Sequence, residues 1–368
     1  MSDLDQKLAL LRDEIDAVDL QILQLISQRA NCAQRVAEAK QACSETEQPA
    51  VFYRPEREAQ VLRGIMQRNQ GPLGDEEVAR VFRQIMSSCL ALEQPMHIAF
   101  LGPEGTFTQA AAFKHFGNSV LSMPLASIDD VFREVESKSA HYGVVPIENS
   151  TEGMVHHTLD MFRQSDLKIC GEVELRIHQH MLAAEGVDLD AVTKIYSHQQ
   201  SLAQCRRWLD ARYPAVERVA VSSNAEAARR AAAEQDQNVV AIAGEMAAEH
   251  YQLKVVVEAI EDQPDNTTRF LVVGNQLSGP SGKDKTSMLV SARNKTGALY
   301  HLLEPFHRHG ISLTRLETRP SGTSTWGYIF YIDCEGHFKD EAIQAVMKEI
   351  ADDALELKLL GSYPQAVL

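Results

Sequence analysis

Glu148, Asn149 and Ser150 follow a short apolar run and Pro146 in the stretch YGVVPIENSTEGMV, residues 142–155. Such a run needs cover on both faces of a sheet, and Pro146 is expected to stop regular pairing. The three polar side chains then emerge at a strand's C-terminal edge, where open α/β sheets hold ligands. Past Gly153 a helical pattern over residues 154–164 offers first-turn N–H groups to an anion. A second polar cluster, Asp265 to Thr268 with Arg269, precedes an apolar strand over residues 270–273. Near the N-terminus, Arg29 and Lys40 stand close to three helical turns apart, sharing a face at about 16 Å, and can flank one small ligand. Arg12 lies about 26 Å beyond Arg29 and reaches the same ligand only from a second copy of the chain. Arg57 and Glu58 open a following helix, and Cys89 and Glu93 share a face four residues apart. The plain alternatives are a strand and turn without a ligand and, for each charge taken alone, a solvated surface position.

These residues must be positioned by more than one domain, and 368 residues with 44% hydrophobic content allow two or three. A formal charge of −15 argues against nucleic acid and anionic membranes as partners. Cys32, Cys43, Cys89, Cys170, Cys205 and Cys334 form no CxxC pair, as expected of free thiols in a reducing compartment. His178 and His180 would share a strand face but have no third ligand nearby, so no metal is expected. Charges begin at Asp3 and no apolar run reaches membrane length, so the expected setting is the cytoplasm, with no membrane association.

Residues 1–95 read as three helices, over 4–43, 55–68 and 75–93. The first has apolar positions at helical spacing without Gly or Pro, and at about 60 Å it needs other helices or a second subunit. From residue 96 strands alternate with helices. A strand over 97–101 leads through a tight loop ending at Thr106 to a helix over 108–116. The loop's GPEGT lacks the third glycine of a dinucleotide fingerprint, and no cofactor is expected. A second βα series starts near Gly171, with a helix over 200–209 and another capped by Ser223 and Asn224. Polar residues return before residue 270, so two wound lobes with a cleft are expected through residue 276. Residues 277–286 read as a linker. Residues 287–368 count as strand (287–293), helix, strand, strand (326–334), helix and strand, a ferredoxin-like βαββαβ order.

LRDEIDAVD, QRANCAQRVAEAK and YRPEREAQVL give residues 1–95 a resemblance to the all-helical chorismate mutases. That resemblance implies a homo-oligomer, at least a dimer, in which Arg12 of the partner subunit, Arg29 and Arg57 hold the two carboxylates of chorismate. Lys40 would meet the ether oxygen and Glu58 the hydroxyl. Cys89 stands where many relatives carry a small hydroxyl residue, Glu93 where some carry Gln, and Arg54 where an acidic residue is found. GPEGTFTQ, VVPIENSTEGMV, YSHQQSLAQC and NTTRF together resemble prephenate dehydratase, which removes water and carbon dioxide from prephenate to give phenylpyruvate. The resemblance implies that Thr268 is essential, Glu148 and Gln204 follow in importance, and Thr106, Asn149, Ser150 and Arg269 line or charge the pocket. Either Thr268 relays a proton or hydrogen-bonds the departing oxygen, or Glu148 acts as the acid after desolvation. Gly297-Ala298-Leu299 and Glu317-Thr318-Arg319 look like the phenylalanine-binding motifs of an ACT regulatory domain, with Thr296 and Thr318 as departures. A two-lobed binding protein without catalysis, or a dehydratase whose helical domain only dimerises, are the competing readings.

A Glu93 carboxylate facing the ether oxygen repels the charge that gathers there, whereas its protonated form donates a hydrogen bond. Mutase activity is therefore expected to fall as pH rises and Glu93 ionises. Glu93→Gln should flatten that limb of the rate profile, and an unchanged profile in the variant would contradict the role.

Overall fold

A computed structural model describes residues 3–44, 52–234, 238–292, 296–320 and 327–368. Pro49, and the expected strand ends at Arg293 and Trp326, lie outside the described residues. The helical domain comprises α1 (Asp3–Ser44), α2 (Pro55–Arg68) and α3 (Asp75–Glu93). Proline at the first position of α2 fits because its missing N–H has no helical partner there. Helix α3 starts where the Glu77 carboxylate accepts the Gly74 N–H at 3.3 Å. Helix α1 packs on α3 only through its C-terminal part, so Leu4, Leu11, Ile15, Val18, Ile22 and Leu25 remain exposed.

The first lobe contains β1 (His97–Leu101), α4 (Phe107–Phe116), β2 (Leu121–Leu125), α5 (Ile128–Glu136), β3 (Tyr142–Asn149), β4 (Gly153–Met154), α6 (His156–Gln164) and β5 (Lys168–Arg176). The second contains β6 (His180–Ala183), β7 (Lys194–His198), α7 (Gln199–Gln204), α8 (Arg206–Arg212), β8 (Glu217–Val221), α9 (Asn224–Ala233), β9 (Val239–Ala243), α10 (Glu245–His250) and β10 (Lys254–Val257). The chain then returns as β11 (Thr267–Gly274) to the first lobe, whose sheet runs β2-β1-β3-β11-β5; the second lobe's runs β10-β6-β9-β7-β8. Strand β11 lies antiparallel between β3 and β5.

Three local expectations fail. Strand β3 does not stop at Pro146 but continues to Asn149, because a bulge between the Arg269–Glu148 and Phe270–Pro146 pairs absorbs the residue without an N–H. The helix expected from Met154 starts at His156, since Gly153 and Met154 pair with β3 first. The helix expected over 200–209 is interrupted at Cys205.

The C-terminal domain comprises β12 (Asp284–Ala292), α11 (Ala298–Arg308), β13 (Leu313–Pro320), β14 (Tyr328–Glu335), α12 (Glu341–Asp353) and β15 (Ala354–Pro364). Its sheet order, β13-β14-β12-β15 with antiparallel pairs, is ferredoxin-like. One sheet face buries Met288, Val290 and Ile332 against Phe306, Ile343 and Val346 of its helices. The opposite face joins the first lobe's core, where Leu289, Tyr331 and Leu360 meet Phe132, Leu159 and Phe162. A Cβ at Gly361 would collide with the Ile169 carbonyl, so β15 approaches β5 backbone to backbone only because this residue is glycine.

The stretch expected as a linker is therefore not a free tether. Strand β12 begins inside it, Ser278, Ser281 and Asp284 are buried, and Arg63 of α2 donates to Ser281 Oγ at 3.0 Å and to the Lys283 and Gln365 carbonyls at 3.1 Å. The helical domain also docks directly: Arg83 of α3 donates to the Lys114 carbonyl at 2.7 Å. Gly117, at φ +75°, has room for no side chain, since a Cβ would lie 2.5 Å from that of Ser87.

Between the first lobe and the C-terminal sheet lies a buried charge cluster. Arg269 of β11 binds Glu172 of β5 at 2.9 Å, Asp333 of β14 at 2.8 Å and the Tyr363 hydroxyl at 3.0 Å. Lys285 of β12 also meets Glu172, at 2.8 Å, and Ser287 donates to Asp333 at 2.6 Å. Burial works to raise the Asp333 carboxyl, but Arg269, Arg315 and the Ser287 bond overturn it and hold the group below its ordinary value. Glu172→Ala takes the carboxylate from Lys285 and one of two from Arg269, and is expected to lower the unfolding free energy by about 3–5 kcal/mol. Urea unfolding checks this, and a loss below about 1 kcal/mol would contradict it.

Candidate functional site

The lobes enclose a cleft of about 970 Å³ at the C-terminal ends of β1, β3 and β7, beside the starts of α4 and α9. Thr106 caps α4 by accepting the Gln109 N–H, and Ser223 caps α9 by accepting that of Glu226. Asn149 and Thr268 project into the cleft from paired positions on β3 and β11. The Asn149 carbonyl oxygen accepts the Thr151 and Glu152 backbone N–H groups at 3.0 and 3.1 Å, which fixes the amide's orientation. Its NH₂ then donates to Asn266 Oδ1 at 2.7 Å and Thr268 Oγ1 at 2.8 Å. Thr268 is an acceptor in that bond, so its own proton is left to point at a ligand.

From Asn266 the amides continue into the second lobe. Asn266 and Gln179 both donate to Gln204 Oε1 at 3.3 Å, Gln179 reaches Ser201 at 3.1 Å, and Asn224 reaches Ser201 at 2.8 Å. Gln179 and Asn266 sit in the two segments that cross between the lobes, and this chain of neutral groups ties both crossings to Thr268. Gln179 was not singled out from sequence, and Ser201 and Asn266 entered only inside motif stretches, without a role. Asn224 was seen only as part of a helix cap, although its amide also accepts the Ser197 hydroxyl and the His198 N–H. An isolated Gln between two histidines carries no pattern that marks it.

Thr106, Asn149, Gln204 and Thr268 therefore meet at one cleft as expected, and two other residues do not. Glu148 points to the reverse side of β3, where its carboxylate lies 3.7 Å from Arg315 of β13. Arg269 likewise faces away, held by Glu172 and Asp333. The strand's alternation is the reason: register pairs Asn149 with Thr268 on one face and Glu148 with Arg269 on the other. Ser150 accepts the Thr267 N–H at 3.0 Å and lines an adjoining groove of about 540 Å³ with Arg206 and Arg207. No Lys or Arg is among the described residues lining the cleft itself, and Arg269, expected to charge it, faces the C-terminal sheet. Amides, hydroxyls and the N-terminal ends of α4 and α9 supply its positive potential.

On the helical domain, Lys40 lies 3.5 Å from Glu93 and 5.1 Å over the Phe52 ring. Buried Cys89 lines a groove of about 410 Å³ between α1 and α3. Arg29 is half-buried, whereas Arg12, Arg54 and Arg57 are exposed. Glu58 does not face this group. It turns toward the dehydratase-like domain, 3.2 Å from Arg83, in a small cavity lined by Tyr53, His115, Glu172 and the C-terminal residues. In the C-terminal domain, Gly297 caps α11 at φ 78° beside Ala298 and exposed Leu299. Glu317, Thr318 and Arg319 lie on the edge strand β13, and Arg319 pairs with Asp160 of α6 at 2.9 Å.

A hinged polar cleft, a bundle of long helices and a ferredoxin-like module that shares the first lobe's core define a multidomain enzyme of small-molecule metabolism. Comparisons agree domain by domain. The chorismate mutase type II model matches residues 11–94, the prephenate dehydratase model 98–278 and the ACT domain model 286–352. The bifunctional chorismate mutase/prephenate dehydratase of Pseudomonas aeruginosa is 62% identical over 369 residues, 100% of each chain. That of Neisseria gonorrhoeae is 50% identical over 365 residues, 99% of each. The crystal structure of prephenate dehydratase from Arthrobacter aurescens in complex with L-Phe superposes with a TM-score of 0.68 at 33% identity, covering 73% of this chain and 90% of that one. The chain belongs to the bifunctional chorismate mutase/prephenate dehydratase family. Among the described residues no helix is long and apolar enough to cross a membrane.

Burial outweighs the Arg83 charge and lifts the Glu58 carboxyl from 4.5 to about 7, while burial and then Arg83 push His115 down to about 3. The two act in opposite directions. Glu58 stabilises the fold at low pH and loses that contribution between about 4.5 and 7, whereas His115 destabilises it as pH falls from about 6.5 toward 3. Glu58→Gln removes the first contribution alone. Its stability relative to the parent is expected to rise by about 3 kcal/mol between pH 4.5 and 8. Urea unfolding at several pH values measures it, and a pH-independent difference would contradict the assignment.

Proposed function

We propose that the chain rearranges chorismate to prephenate on its helical domain and converts prephenate to phenylpyruvate in the cleft, under feedback from phenylalanine bound by the C-terminal domain. The observation that carries the cleft reaction is the Asn149–Thr268 hydrogen bond at 2.8 Å, which leaves the threonine proton free to meet a departing oxygen. In that reaction the ring hydroxyl takes up one proton, supplied from solvent, and leaves as water, and the ring carboxylate leaves as carbon dioxide. The electron pair of the broken C–C bond enters the ring, which becomes aromatic. A threonine hydroxyl is too weak an acid to surrender its proton outright, so Thr268 stabilises the leaving oxygen by donating a hydrogen bond. The remaining carboxylate is held by the first turns of α4 and α9 and by the cleft amides.

On the helical domain Lys40 and Glu93, already adjacent, face the ether oxygen, with Arg29 three turns away along the same face of α1. The exposed apolar stripe of α1 supports a homodimer in which Arg12 of the partner subunit completes the site. Cys32, Cys89, Cys170, Cys205 and Cys334 are free thiols, which supports a cytoplasmic setting.

Feeding chorismate and then prephenate, and following phenylpyruvate, tests both reactions at once. Thr268→Ala is expected to lower dehydratase kcat by a factor of about 10² to 10³ while mutase activity persists. Lys40→Ala should do the reverse. Near-normal dehydration by folded Thr268→Ala would refute the cleft assignment, and a chain inert toward chorismate would leave its helices as an assembly module only.

A further inference from the structure

Asn149 and Thr268 face the cleft, while their chain neighbours Glu148 and Arg269 face the C-terminal sheet. Both neighbours are held there by charge. Arg269 lies between Glu172 and Asp333, with the Tyr363 hydroxyl on its remaining nitrogen. Glu148 faces Arg315, which lies 3.8 Å from the same Asp333. Three cations (Arg269, Lys285, Arg315) and three carboxylates (Glu148, Glu172, Asp333) thus form one balanced cluster. Its Arg315 and Asp333 come from β13 and β14, and β13 also carries Glu317 and Thr318.

From this geometry we propose that Arg269 and Glu148 are positioning residues, through which the C-terminal domain sets the distance between Asn149 and Thr268. The proposal rests on the dehydratase reading above and adds the route of its regulation. A strand residue cannot rotate or slide without moving its neighbour, because the bond between them is covalent and both strands are pinned in register. A shift of β13 or β14 against the first lobe therefore pulls on Glu148 or Arg269 and appears on the other face as a change in the Asn149–Thr268 contact. Two strands carry the same arrangement, so the cluster acts on donor and acceptor together. Phenylalanine would then act by changing how β13 and β14 seat against the cluster, at a distance from the substrate.

The test uses the full-length chain, with its mutase rate as an internal measure of folding. Arg315→Gln and Glu148→Gln, both at the rim of the cluster, are expected to lower dehydratase kcat at least fivefold with KM within twofold. The charge reversal Glu148→Arg with Arg315→Glu should recover most of that loss. In Arg315→Gln, calorimetry is expected to show phenylalanine bound within twofold of the parent affinity while its inhibition weakens at least fivefold. Should Asp333→Asn lose mutase activity as well, it has unfolded, and the two rim variants decide. Variants with parental kcat and undiminished inhibition would overturn the coupling alone. A parent chain without dehydratase activity would instead overturn the functional reading.

Discussion

Successive side chains on a strand point to opposite faces of the sheet, and β3 and β11 each place one residue in the cleft and the next against the C-terminal domain. That alternation is the constraint on which the rest depends. A buried guanidinium is tolerable only with its partners in place, so Arg269 requires both Glu172 from its own sheet and Asp333 from the neighbouring domain. The C-terminal domain therefore belongs to the first lobe's structure as well as to its regulation. The shared apolar core and the backbone contact at Gly361 say the same in the language of packing. Without the docked sheet, β11 would expose apolar surface directly behind Thr268 and Arg269 would keep Glu172 as its one carboxylate.

The second consequence is electrostatic. With a net charge of −15, the protein repels anions at long range, and no lysine or arginine among the described residues lines the cleft to offset this. A cleft made of amides and helix ends has a compensating virtue. Its dipoles are fixed by the fold, so they need no reorganisation when the substrate's charge moves during reaction. A guanidinium beside the departing hydroxyl would also compete with Thr268 for that oxygen. Directing Arg269 to the reverse face gives β11 its rigidity while keeping that competition out of the cleft.

Helices, lobes and the ferredoxin-like order were legible because their signals are local: Pro55 and Glu77 mark helix starts, and alternating apolar runs mark strands. Family motifs pointed to Asn149, Gln204 and Thr268, which do line one cleft, but could not say which way each side chain in a motif points. Direction depends on the pleat and on the bulge that carries β3 past Pro146, and both are settled by partner strands far away in sequence. Glu148 and Arg269 were misplaced for that reason, being adjacent in the motif and opposite in space. Residues 277–286 look like a linker by composition, yet Asp284 and Ser281 satisfy each other inside a domain junction, which composition does not report. The neutral relay through Gln179 and Asn224 joins three separate segments and has no spacing signature at all.

Glu58 shows the same effect between domains. Its helix carries Arg57 toward solvent and Glu58 toward Arg83 and the C-terminal residues, so the helical domain contributes a buried carboxyl to a three-domain junction. A carboxyl lifted to about 7 by burial is only half ionised near pH 7, which limits the cost of placing it there. If chorismate binding drew Glu58 outward to meet a hydroxyl, Arg83 would be left buried beside the same C-terminal residues that Arg63 holds at Gln365. The Arg83 nitrogen at stake is Nε, which lies 3.2 Å from the Glu58 carboxylate and makes no hydrogen bond elsewhere. The junction thus opposes that movement, whereas Lys40 and Glu93 already meet at 3.5 Å without disturbing it.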